Sequence, residues 1–265
     1  MSFSGSSRAL AAWSSALLVA AGGATFASST AAVAARRVPV AGASVASVRI
    51  MVVGAGNVVL APPRTVSSAA VSLRVGRRTC GVAGGTPLAA LAQLHLTGGP
   101  GFAIRDYGRC TSGTGASGQL FVYSLDGETN HGQNGWEYKV NSRSGTTGAG
   151  DSTGAQGDGR LLAPGAQVLW FWCQAFAGGC QRNLALSAAG SVSRAGALRV
   201  RVTGYDNYGR GTAMAGARVT LGGASAITGG SGVATLRAPT RAGSYALSAA
   251  RSGSVPAFPQ TVIVR

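Results

Sequence analysis

The sequence predicts a mainly β chain carrying one helix, divided into an α+β first domain and a small β-sandwich. Three observations point there. Apolar and polar residues alternate through Trp136-Glu137-Tyr138-Lys139-Val140 and again through Leu198-Arg199-Val200-Arg201-Val202, the period of a half-buried strand. Glycine occurs 42 times while hydrophobic residues make up 46% of the 265, so there is apolar material for packed cores joined by many tight turns. Outside the N-terminal stretch, one segment alone carries helical spacing together with a start and a stop signal.

Residues 1–35 read as a secretory leader. Arg8 supplies a positive start, Ala9 to Ala21 an apolar run, and Ala32-Val33-Ala34 a small-x-small cleavage site before Arg36-Arg37. A membrane anchor needs about 20 predominantly apolar residues, and this run is diluted by Gly and Ser. The expectation is therefore a secreted, extracellular protein with no transmembrane span after cleavage, held at the cell surface, if at all, by contacts. Residues 36–47 form a linker.

The first domain is expected over residues 48–187. Val48 to Val53 is a strand, and Gly54-Ala55-Gly56-Asn57 a turn rather than a dinucleotide fingerprint, because the third glycine is missing and Pro62-Pro63 oppose the helix that would hold a pyrophosphate. Val66 to Val75 is a further strand region. The helix comes next: Thr86 caps it, Pro87 suits its first turn, Leu88, Leu91 and Leu94 recur on one face, and Gly98-Gly99-Pro100 stops it. It is expected to lay one apolar face on a sheet. Phe102 to Arg105 and Leu120 to Leu125 are strands, and the stretch from Gly135 to Cys173 holds three of the four tryptophans, with strands at both ends around a Gly/Ser/Thr/Asp-rich loop.

Four cysteines in an exported chain imply two disulfides among three possible pairings. The pairing adopted is Cys80 with Cys110, which would staple the helix-containing loop for about 3 kcal/mol, and Cys173 with Cys180, which closes a small loop. A zinc site is not indicated, since there is no CxxC and the only histidines are His95 and His131.

Taken in order, Cys80, Thr86 to Leu91, Tyr107, Cys110, Phe121-Val122-Tyr123, Gly135 to Asn141, Gly148-Ala149-Gly150-Asp151 and Leu169 to Cys173 resemble the DUF4430 family, also described as the transcobalamin-like C-terminal domain. The resemblance covers about residues 45–187 and implies a β-grasp-like fold. In animal cobalamin carriers such a domain closes over the corrinoid together with an α-helical barrel. No such barrel is encoded here, so the resemblance does not by itself bring cobalamin binding.

Residues 188–197 turn to Ala, Ser and Gly and read as a linker. From 198 to 265, strands recur every ten to fifteen residues with turn chemistry between them, which indicates a small β-sandwich. Gly216-Ala217, Thr228 with Gly232, and Gly243-x-Tyr245-x-Leu247 are similar to carboxypeptidase-regulatory-like repeats, a resemblance that implies an Ig-like or prealbumin-like β-sandwich, although Gly229 stands where such turns usually have Asp.

Catalytic constellations are scarce. Only seven acids exist; Asp126 and Glu128 flank Gly127 as a turn, and Asp151 and Asp158 lie in the Gly-rich loop without the Asp/Asn ladder of a calcium site. There is no Gly-x-Ser-x-Gly element, and His131 reads as a loop residue. The chain reads as a non-enzyme that needs no cofactor. Two binding signals remain. The balance of 23 basic to 7 acidic residues, a net charge of +16, favours anionic wall or surface polymers, although no basic run points to a specific nucleic acid. The second signal is aromatic. Trp170 and Trp172 alternate with Phe171, so one face of that strand is free to stack on a small molecule unless both faces are covered, and Tyr123, Trp136, Tyr138, Trp170 and Trp172 are the candidate ligand contacts. The function expected is binding or adhesion at a bacterial cell exterior, with a soluble small-molecule carrier, a corrinoid among its ligands, as the alternative.

Overall fold

The structure, a computed structural model, describes residues 35–37, 45–176 and 179–265. The leader expected over 1–35 apart from Ala35, and the linker over 36–47 apart from its two ends, lie outside the described residues. Among the described residues the fold is mainly β with a single α-helix.

The first module runs β1 (Ala35–Arg37), β2 (Ser47–Val53), β3 (Val59–Ser67), β4 (Val71–Val75), β5 (Arg78–Val82), α1 (Pro87–Leu96), β6 (Phe102–Asp106), β7 (Leu120–Leu125), β8 (Glu128–Thr129), β9 (Gly135–Val140), β10 (Arg143–Ser144) and β11 (Gln167–Cys173). Its central sheet has the order β10-β9-β11-β2-β3, and the first and last long strands, β2 and β11, lie side by side and parallel. That pairing requires a crossover, which α1 and the smaller sheets β1-β4-β5 and β6-β7-β8 supply.

Helix α1 forms where its signals place it. The Thr86 hydroxyl accepts the Ala89 N–H at 3.2 Å, a cap of the kind that contributes about 1 kcal/mol, and Pro87 occupies the first turn. The expectation of one buried face is corrected: Pro87 to Leu94 are all buried. The Gly-rich loop closes over the side away from the sheet, its Ala149 carbonyl accepting from Leu88 N at 2.8 Å, and Leu162 N donating to Gly85 O at 2.8 Å. The alanines at 89, 90 and 92 make that close approach feasible. Both disulfides form as expected, Cys80 with Cys110 and Cys173 with Cys180, and no cysteine among the described residues is free.

The second module comprises β12 (Asn183–Ala188), β13 (Ser191–Val192), β14 (Ala197–Tyr205), β15 (Gly211–Ala213), β16 (Arg218–Leu221), β17 (Ala224–Ile227), β18 (Val233–Arg237), β19 (Gly243–Ala250) and β20 (Gln260–Val264). One sheet is built on β14, flanked by β12 on one edge and by β18 and β15 on the other; the second has the order β13-β20-β19-β16-β17. Their inner faces enclose a core of Leu198, Val200, Val202, Val219, Leu221, Leu236, Leu247 and Val262. Residues 183–187, expected at the end of the first domain, and Ala188, expected in the linker, pair with β14 along their whole length, so this sandwich starts at Asn183. Its sequence, Asn-Leu-Ala-Leu-Ser-Ala, alternates too weakly to show which sheet it joins.

Alternation on β9 and β11 sends residues to two different cores. Trp136, Tyr138, Val168, Trp170 and Trp172, with Ile50 and Val52 of β2, face α1 and the main core. Met51, Val53, Leu169 and Phe171 point the other way and are covered by Val255 and Phe258 of the second module. Lys139 lies on this second face. The alternation of β9 predicts a solvated lysine, yet it is fully buried where the modules meet. Its ammonium donates to Asn183 Oδ1 at 3.1 Å and to the carbonyls of Asp206 at 3.2 Å and Tyr205 at 3.5 Å, with the Phe171 ring at 5.5 Å. Burial lowers its pKa to about 8, against the opposing pull of Asp206. Further contacts cross the joint: Asn183 Nδ2 donates to Ser142 Oγ at 3.0 Å, Ser144 N to Asn207 O at 3.0 Å, and Arg49 Nη2 to Pro259 O at 3.1 Å.

Candidate functional site

Four of the five aromatic candidates are brought together, and they form a packed ladder rather than an open platform. Trp136 meets Trp172 edge-on at 5.7 Å between ring centroids, and Tyr138 meets Trp170 at 5.6 Å. These are the cross-strand partners that the β9/β11 register sets opposite one another. All four are buried. The polar atoms of three of them are spent inside the fold: Trp136 Nε1 donates to Glu128 O at 2.8 Å, Tyr138 Oη to Thr147 O at 2.8 Å, and Trp170 Nε1 to Pro87 O at 3.4 Å. Burial pushes the Tyr138 hydroxyl pKa up. The Gly-rich loop makes this closure feasible, since a side chain at Gly145 would run into the Tyr138 ring and one at Gly148 into the Gly118 carbonyl.

Tyr123 stands apart. It sits on the outer face of β7, half-buried, with the Arg105 guanidinium 4.8 Å over its ring, so that face is already taken by a cation–π contact.

A cleft of about 310 Å³ opens beside the ladder, between β7 and β9. Strand β7 pairs with β6 along its length but with β8 only at Ser124 and Leu125; β9 pairs with β11 along its length but with β10 only at Lys139 and Val140. Leu120–Val122 and Trp136–Tyr138 thus border the cleft with strand edges that have no strand partner among the described residues. The two strands are tied at one end by Asn130, whose Oδ1 accepts Trp136 N at 2.8 Å. Trp136, Tyr138 and Trp170 contribute to the wall, and the rim carries Tyr107 and Phe121, 66% and 43% exposed with rings 6.1 Å apart. Sequence reasoning did not single out these rim residues as contacts. The available signal was Phe121 itself, which must point outward if Leu120 and Val122 point in.

The second candidate surface is electrostatic. On the sandwich, Leu198, Val200 and Leu236 point inward, which turns Arg199, Arg201 and Arg237 to solvent on adjacent strands β14 and β18. Arg237 is paired opposite Ala197 and so lies diagonal to Arg199. None of the three forms a salt bridge; the ion pairs among the described residues are Arg78 with Asp106 and Arg160 with Asp158.

The remaining polar candidates serve local structure. Glu128 accepts Ala55 N at 2.9 Å, holding the Gly54–Asn57 turn, while Asp126 and Gly127 form the positive-φ corner of the β7–β8 hairpin. Asp151 accepts from Thr153 N at 2.8 Å and Asp158 from Arg160 N at 3.1 Å, each closing its own turn. His131 stacks on Trp172 at 5.4 Å, and His95 meets Phe102 edge-on at 5.7 Å. Asp106 lies beside Cys80 and Cys110, the one cluster of three metal-ligating residue types among the described residues, but the disulfide engages both sulfurs. Burial acts to raise the Asp106 pKa and is outweighed by N–H bonds from Gly108 and Cys110 and by Arg78, which lower it.

Comparison with protein-family models, with curated proteins and with solved structures finds no match.

Proposed function

We propose an exported, non-enzymatic binding protein that attaches to anionic polymers of a bacterial cell exterior through the arginine-bearing face of its sandwich. The observation that carries this reading is the unpaired trio Arg199, Arg201 and Arg237 on one exposed sheet face. From 188 to 265 arginine recurs at 194, 199, 201, 210, 218, 237, 241, 251 and 265, against the single acid Asp206. The Asp206 carboxylate already accepts the Tyr208 and Arg210 N–H groups, each at 2.9 Å. A rigid sheet holding several guanidinium groups at fixed spacing suits repeated phosphate or carboxylate groups better than scattered charge does. Binding to soluble polyphosphate, with dextran as the neutral control, tests the reading. Affinity for polyphosphate that falls steeply with salt supports it; equal weak binding to both polymers overturns it.

A second reading rests on the β7/β9 cleft, whose exposed Tyr107 and Phe121 and free strand edges suit a small ligand. At about 310 Å³ the cleft lies at the low end of small-ligand pockets, which span about 300–1,000 Å³, and favours a single ring or short chain over a corrinoid. Membership of the DUF4430 family belongs to this reading too. The strand hairpin β2/β3, helix α1 and a final strand parallel to β2 are compatible with the β-grasp-like fold that such membership would imply.

A further inference from the structure

The chain has one lysine, and its amine rests against a carboxamide on the other module. Lys139 is fully buried and Asn183 is 4% exposed. Nζ lies 3.1 Å from Asn183 Oδ1, which places Cγ at most about 1.2 Å farther, one carbonyl bond length. The amide is oriented from its other side, where Nδ2 donates to Ser142 Oγ at 3.0 Å. Phe171 closes one side of the amine at 5.5 Å, and the carbonyls of Tyr205 and Asp206 hold it from the second module. A nucleophile and an acyl carbon are thus confined together in a dry site, the arrangement that turns a bimolecular reaction into an effectively unimolecular one.

We propose that Lys139 and Asn183 condense into an intramolecular isopeptide bond that covalently locks the two modules together. The unprotonated Nζ attacks Cγ, the Nζ–Cγ bond forms, the Cγ–Nδ2 bond breaks, and the proton released from Nζ leaves with Nδ2 as ammonia. No oxidant, reductant or further reactant enters. Ser142, half-buried beside Nδ2, stands on the side by which ammonia departs and is placed to pass the proton to it. Burial favours the reactive form of the amine by lowering its pKa to about 8. The charged groups acting on it are Asp206 from the second module, Arg182 from the segment just before that module, and Glu137 from its own strand. No carboxylate among the described residues hydrogen-bonds the Asn183 amide, so the reaction lacks an acid in direct contact and is expected to be slow and to accelerate as pH rises through the titration of the amine.

The product is lighter than the disulfide-bonded chain by one ammonia. Intact-mass measurement of the folded protein, fresh and after prolonged incubation at mildly alkaline pH, should show this loss. Proteolysis should then yield one branched peptide joining the segments around Lys139 and Asn183. Lys139→Arg and Asn183→Ala should both keep full mass. Should either variant fail to fold, the wild-type result stands alone: full mass after incubation, with the tryptophan fluorescence of the folded state retained, overturns the proposal, as does ammonia loss mapped to any other asparagine or glutamine.

Discussion

The two faces of strands β9 and β11 are both buried, but by different means. On one face Trp136, Tyr138, Trp170 and Trp172 are closed in by the module's own helix and glycine loop, and the polar atoms of Trp136, Tyr138 and Trp170 find partners within that module. On the other, Leu169, Phe171 and Lys139 are closed in by a neighbouring sandwich whose chain begins only after the second disulfide. A strand records that it alternates, not what covers each side. The first face belongs to the stability of one module, the second to the bond between two.

The largest effect expected is on the helix face. Trp170→Ala removes an indole that is 2% exposed and should cost about 3–5 kcal/mol, read as early unfolding of the first module in denaturant while the sandwich transition is retained. At the joint, Lys139→Ala leaves the Asn183 side-chain oxygen and two backbone carbonyls without their donor, for about 1–3 kcal/mol. Its signature should differ, with faster proteolytic cleavage between residues 174 and 182 and a first-module core that stays folded. If both variants gave the same single loss of cooperativity, the distinction between the faces would disappear.

The joint should also respond to pH. An unreacted Lys139 has its folded-state pKa lowered from 10.5 to about 8, so between those values the unfolded chain binds more protons than the folded one. Stability should therefore rise as pH increases through that window, and the cost of burying the charge is fully present below it. Lys139→Ala should lack this slope, and so should a chain in which the amine has been acylated. Denaturant midpoints measured at several pH values separate the unreacted chain from the other two.

Smaller effects follow on the helix face and its cleft. Tyr138→Phe deletes the bond to Thr147 O while keeping the ring, for about 1 kcal/mol in chemical denaturation. Tyr107→Ser, at a rim position 66% exposed, should leave stability within about 0.5 kcal/mol, so any change in ligand-induced fluorescence reports on the cleft itself.

Much of the fold was legible because local signals agreed with the global answer. Thr86, Pro87 and Gly98 bracket the helix, and Leu198 to Val202 read correctly as a strand with alternate residues inward. The cysteine pairing adopted among the three possible ones is the one that forms, Cys80 with Cys110 and Cys173 with Cys180. What stayed hidden depended on partners distant in sequence. The pattern Trp-Glu-Tyr-Lys-Val gives Lys139 a solvated face, and only its registered neighbours Leu169 and Phe171, apolar on that same face, hint that something covers it. Of the aromatic candidates, the β9/β11 register sets Trp136, Tyr138, Trp170 and Trp172 side by side in the core, while Tyr123 stands apart, its Arg105 partner lying on a strand that the sequence does not visibly pair with it. The arginine face was present in the alternation of residues 198–202, but its third member, Arg237, becomes a neighbour only through the β14/β18 register.

The central functional claim is that charge acts from one face of the sandwich rather than from the molecule as a whole. The most direct test is co-sedimentation with purified bacterial cell walls at low and high salt, using the chain from Arg36 in three forms: unsubstituted, Arg199/Arg201/Arg237→Gln, and Arg64/Arg74/Arg77→Gln. The two triple variants lose the same charge from exposed positions on different modules. The account predicts salt-sensitive pelleting that the sandwich variant loses and the first-module variant keeps. Equal loss in both variants, or no pelleting of the unsubstituted chain at low salt, would contradict it.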